Sequence, residues 1–162
     1  MRKVLLTLFV VAASTMTASA QNVYKEIQRL SVNISADPKK SNEERSIGLF
    51  RVDALDYMAI KARELTPDSS AVTLDSQAYG MYEFIVNYKE ARERAKSENG
   101  KRNVMKVFKE ASLACPRYND PEKETTMVYV NETKNNVTPF CLDTDWVKAV
   151  EIIKEKGYCF IQ

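Results

Sequence analysis

Apolar residues recur at helical spacing over most of the chain, and short polar clusters divide them into segments. Ser41-Asn42-Glu43-Glu44 reads as a capping box, with Ser at the N-cap and Glu three residues on. A helix follows to about Leu65, with Ile47, Ala54, Leu55, Met58, Ala62 and Leu65 on one stripe and Phe50 and Tyr57 widening it. Gly48 inside this helix costs about 1 kcal/mol relative to Ala, which suggests a close packing contact. Leu49 and Ile60 fall on the opposite side, with Asp53 and Asp56 between them. A second helix is expected from about Asp75 to Ser97, past the loop Thr66-Pro67-Asp68-Ser69-Ser70. Its main face is Ala78, Met81, Tyr82, Ile85 and Tyr88, and Tyr79, Phe84, Val86 and Ala91 carry the apolar arc past half the circumference. A helix so apolar belongs at the centre, covered on two sides. Its aromatics, Tyr79, Tyr82, Phe84 and Tyr88, read first as core and second as a ligand cleft.

Glu98-Asn99-Gly100 reads as a tight turn into a third helix over about Lys101–Ala114, which Pro116 stops. Asp143-Thr144-Asp145 caps a last helix from about Trp146 to Lys156, closed by Gly157. The segment between is divided in its signals. Asp120-Pro121-Glu122 has the form of a helix start. Thr125–Val130 and Val137–Leu142 have strand composition, and a polar link between them favours a small β-hairpin. Residues 21–40 hold a short apolar-periodic stretch, Val23, Ile27, Leu30 and Val32, readable as a helix or as a late-packing tail. The expected fold is therefore mainly α: a compact bundle of three to four helices with a hairpin before the last, and α+β as the alternative.

The first twenty residues differ from the rest. Arg2 and Lys3 precede an apolar run from Val4 to Ala13, and Ala18-Ser19-Ala20 forms a small-x-small cleavage site. The run is shorter than the roughly 20 apolar residues that span a bilayer. This segment resembles the signal peptides of Gram-negative bacterial export proteins, with cleavage expected between Ala20 and Gln21. Residues 21–162 then form one domain, secreted to the periplasm or outside the cell, with no transmembrane segment. The full chain carries 24 Lys+Arg and 22 Asp+Glu. Arg2 and Lys3 leave with the leader, so the mature chain is neutral and gives no electrostatic reason to bind nucleic acid.

The chain has no histidine, which removes Ser-His-Asp and Cys-His catalysis and every His-ligated metal site. Its four glycines build no phosphate loop, and no cofactor is expected. Asp120, Glu122, Asp143 and Asp145 are the weak candidates for a Ca²⁺ site, since oxygen ligands in loops suit that ion. Each also has an ordinary task at a helix N-terminus. Cys115, Cys141 and Cys159 suggest one disulfide and one spare thiol in an exported protein. Cys141 and Cys159 flank the last helix, about 20 Å long, so Cys115 is expected to pair with one of them. These features favour a non-enzymatic interaction or structural protein with a protein partner. A small ligand- or calcium-binding protein is the alternative, and a histidine-independent hydrolase the third reading.

Overall fold

A computed structural model describes residues 23–65, 71–132 and 137–160. The expected signal peptide, residues 1–20, lies outside the described residues, as does the loop 66–70. The described chain is mainly helical. Its elements are α1 (Val23–Ala36), α2 (Asn42–Leu65), α3 (Ala71–Arg94), α4 (Glu98–Ala114), α5 (Lys123–Thr126), α6 (Val128–Asn131) and α7 (Trp146–Glu155).

The stretch readable as helix or tail is helix α1, which packs along α2 and α3. Its crossing with α2 explains Gly48. A Cβ there would lie 2.9 Å from the Ser35 nitrogen and 3.0 Å from the Ser31 carbonyl oxygen, so only glycine lets the two backbones approach. Ser31 is fully buried at this contact, and its hydroxyl donates to the Ile27 carbonyl, which removes a polar group from the interface. α2 starts with the expected capping box. The Glu44 N–H donates to Ser41 Oγ, and the Ser41 N–H donates to the Glu44 carboxylate. These bonds, with Lys40, pull the Glu44 carboxyl down to about 2.

α3 is the central helix, packed against α1, α2, α4 and α7. Ala78, Met81, Phe84 and Tyr88 on it are fully buried. The expected turn at 98–100 is instead the first turn of α4. Ser97 is its N-cap, in extended conformation, and its Oγ accepts the Gly100 N–H. The second helix correspondingly ends at Arg94 rather than Ser97. The link between α3 and α4 stays short, as the sequence implies.

The expected β-hairpin is replaced by helical turns. No strand occurs among the described residues, and 123–131 make the single turns α5 and α6. Thr126 and Tyr129 supply the physical reason. Three residues apart, they share a face in helical conformation, where a strand would send them to opposite sides. Thr126 is fully buried and its carbonyl accepts the Leu142 N–H. Tyr129 packs edge-on against Phe50, with centroids 4.9 Å apart, and its hydroxyl donates to Asp53. The helix start expected at Asp120-Pro121-Glu122 falls slightly later, with Glu122 rather than Asp120 at the N-cap of α5. Residues 137–142 run without secondary structure and insert Phe140 among Phe50, Phe84 and Tyr88 at 5.0–5.7 Å. Trp146 joins this aromatic centre from α7. Edge-to-face pairs of this kind add about 0.5–1.5 kcal/mol each beyond burial.

The expected disulfide is absent: no bond joins any two of Cys115, Cys141 and Cys159, and none of them lie close together. Cys115 ends α4 with charged neighbours from the start and outer face of α7, Asp145, Lys148 and Glu151. The Cys141 thiol faces Asp143, Thr126 and Lys123. Cys159 is drawn to α3, where Asn87 and Glu83 engage its sulfur.

Candidate functional site

Two of the four candidate metal ligands are built into the loop before α7. Asp143 is 1 % exposed, and its carboxylate accepts three backbone N–H groups: Arg117 at 3.2 Å, Tyr118 at 2.8 Å and Asp120 at 2.9 Å. The chain wraps it by placing Asn119 at φ 52°, a left-handed conformation that Asn tolerates better than most residues. This is an anion nest whose anion is the protein's own carboxylate. Asp120 is also buried. It accepts the Glu122 N–H on one oxygen, and Tyr57 Oη and Lys61 Nζ on the other, at 2.9 and 3.1 Å. The Glu122 N–H, with Lys61 and Tyr57, holds its carboxyl below the ordinary 3.8. A carboxyl so held stays ionised and makes a poor general acid near neutral pH.

Asp145 does what its position implies. It is the N-cap of α7, accepts the Lys148 N–H, and is held by Gln77 and Arg117. Glu122 and Glu124 are exposed. The structure thus brings Asp120 and Asp143 together but spends their oxygens on protein donors. Among the described residues, no three Cys, Asp or Glu side chains are grouped to hold a metal ion.

Three surface depressions among the described residues are roomy enough to hold a ligand. One of about 560 Å³ lies between the N-terminus of α2 and the α3–α4 link. Its charges are largely paired internally, as in Arg92 with Glu43 and Lys101 with the adjacent Glu98. A second, of about 490 Å³, has Cys141 and Asp143 at its floor. Burial pushes the Cys141 thiol up, away from the thiolate a nucleophile needs.

The third is a groove of about 470 Å³ between α3 and α7, with Val23 of α1 at one end. Each wall is a helical stripe. α3 contributes Asp75, Tyr79, Gly80 and Glu83, one turn apart, and α7 contributes Val147, Val150, Glu151 and Lys154 at i, i+3, i+4 and i+7. Gly80 sets the floor. A Cβ there would lie 3.1 Å from the Trp146 carbonyl carbon and the Val147 nitrogen, so its absence lets α7 sit directly on α3. Tyr79 stands 50 % exposed over this floor and Val147 is 37 % exposed. At the far end Glu83 is buried, and its Oε1 is 3.1 Å from Lys154 Nζ.

Of the four tyrosine and phenylalanine positions readable as a cleft, only Tyr79 lines the groove. Phe84 and Tyr88 are core, and Tyr82 lies under the Arg51 guanidinium. Sequence reasoning missed Gly80 and Val147. A glycine directly after an outward aromatic, Tyr79-Gly80, was the available signal. Leu49 and Ile60, each 51 % exposed, form no groove, and the acids between them are engaged, Asp53 by Tyr129 and Asp56 by Gln28.

No protein-family model matches the chain, no curated protein matches it in sequence, and no solved structure matches it.

Proposed function

We propose that this chain is an exported, non-enzymatic interaction protein that receives a protein partner in the groove between α3 and α7. Residues 1–20 act as the export signal, and residues 21–162 work as one helical bundle in the periplasm or outside the cell. The observation carrying the reading is Tyr79. Half exposed, it stands over an apolar floor beside Val147, on a helix whose other large aromatics are covered. A rigid aromatic beside a shallow apolar groove is the usual form of an interface anchor. The calcium and hydrolase readings have less support, because the oxygens of Asp120 and Asp143 are already taken by protein donors.

The test is affinity capture of the processed chain from its native envelope and secretome, run in parallel with Tyr79→Asp and Val147→Asp. A stoichiometric partner retained by the parent and lost by both variants is expected. A partner retained by both places the interface elsewhere. N-terminal sequencing of the recovered chain should begin at Gln21.

A further inference from the structure

The groove is asymmetric in charge, and that asymmetry selects among partners. Its charged groups are Asp75, Glu83, Glu151 and Lys154. Three are acidic and one is basic. Asp75 uses one oxygen to accept the Tyr24 N–H at the start of α1. The key group is Glu83. Its side chain is 10 % exposed, whereas Lys154, which pairs with it, is 50 % exposed. A sheltered carboxylate is therefore paired with a half-exposed cation. Among the described residues, the contacts to Glu83 from Lys154 and from Cys159 both use Oε1, so a further donor has Oε2 to meet. Burial makes such a pairing worth more than one at an open surface.

Resting on the reading of this groove as an interface, we propose that its occupant is a polypeptide segment presenting one apolar side chain and one Lys or Arg about one helical turn away. The apolar side chain lies against Tyr79 and Val147. The cation meets Glu83 and Glu151. The spacing follows from α3, because Tyr79 and Glu83 are four residues apart, about 6 Å along the helix. The groove volume suits one or two side chains, not a whole helix. A shallow groove between two helical stripes receives side chains projecting from a longer chain. An acidic segment meets three carboxylates and is repelled.

The probe is a blocked, fluorescein-labelled peptide with Leu and Lys four residues apart in an Ala/Gln background. Matched peptides replace the Lys with Glu or norleucine. Fluorescence anisotropy is read with the full chain expressed through an exporting host, and thermal melts confirm that each variant folds. The Leu/Lys peptide is expected to bind at least about tenfold tighter than the Leu/Glu peptide. Glu83→Gln should erase most of that difference without weakening the norleucine peptide. Lys154→Ala removes the competing internal cation and should strengthen Leu/Lys binding several-fold, an effect a purely structural role does not produce. Equal binding of the Lys and Glu peptides overturns the proposed selectivity. Failure of every peptide, while a captured partner is still lost in Tyr79→Asp, overturns the proposed occupant and leaves the groove as the interface. Peptide binding unchanged by Tyr79→Ala removes both.

Discussion

Gln77 holds the first turn of α7 through Asp145. Its Nε2 donates to Asp145 Oδ1 at 2.8 Å, while its Oε1 accepts the Trp146 N–H at the same distance. One buried carboxamide on α3 thus steadies both the N-cap side chain and a backbone donor left open at the start of α7. The contact fixes where α7 begins on α3, and therefore where Val147, Val150 and Lys154 stand in the groove.

Gln77→Leu removes both bonds and leaves the buried Trp146 N–H without an acceptor. The expected cost is about 2–4 kcal/mol, measured by urea unfolding. Gln77→Glu places a second carboxylate against Asp145. Its folded pKa rises by like-charge repulsion, so its penalty grows as pH rises from about 4 and shrinks in acid. Comparison of its melting temperature with the parent across pH 4–7 should show the gap narrowing at the acid end. A constant gap would count against the contact.

The Asp143 nest makes a separate prediction. Asp143→Ala strands three buried or half-buried amides, and about 3–5 kcal/mol is expected from chemical denaturation. Its neighbour Asp120 governs an acid limb. The folded carboxyl lies below 3.8, so its stabilisation is complete above that value and is lost as pH falls through the folded value. Asp120→Asn abolishes that titration. Its stability, relative to the parent, should improve as pH falls below about 4. A parallel loss in both proteins would assign the acid limb to other groups.

At the α1–α2 crossing, Gly48→Ala gains about 1 kcal/mol of helix propensity but forces a Cβ against backbone atoms of α1. Overpacking against backbone costs about 1–3 kcal/mol, so a net loss of melting temperature is expected. A rise would mean that α1 can move away without cost.

Arg51 is 6 % exposed, and its Nε and Nη2 find no hydrogen-bond partner among the described residues. Its guanidinium carbon lies 5.1 Å from the Tyr82 ring centroid, and burial lowers its pKa. An unpaired buried charge is a liability that an apolar chain of similar length removes. Arg51→Met is expected to raise stability by about 1–3 kcal/mol, read from the urea midpoint at constant slope.

The thiols should react in order of exposure. Under native conditions Cys159 is alkylated first. Cys115 and Cys141 are slow, since both are buried and burial raises both thiols. In denaturant without reductant all three should take the label, counted by mass spectrometry. Two fewer labels would reveal a disulfide and a different arrangement of the loop before α7.

Helical periodicity and local capping chemistry carry most of the fold. The box at Ser41 and Glu44 and the cap at Asp145 are local decisions, made by residues within one turn of each other, and the apolar arc along α3 is read from that helix alone. The segment 123–142 was not legible in this way. Its β-branched residues favour strand locally, but burial of Thr126 and Phe140 and the Tyr129 contact to Phe50 outweigh that preference. Such contacts join residues far apart in sequence, and no window of the chain displays them.

The chain alone determined the helices α2, α3, α4 and α7, its lack of histidine chemistry and the close approach implied by Gly48. Only the tertiary structure decided that Asp143 is an internal anion, that the three cysteines stand apart, and that Tyr79 and Val147 share a groove floored by Gly80. Each of these depends on which faces of separate elements meet. That is set by packing summed over the whole core, to which any single residue contributes only about a kilocalorie or two.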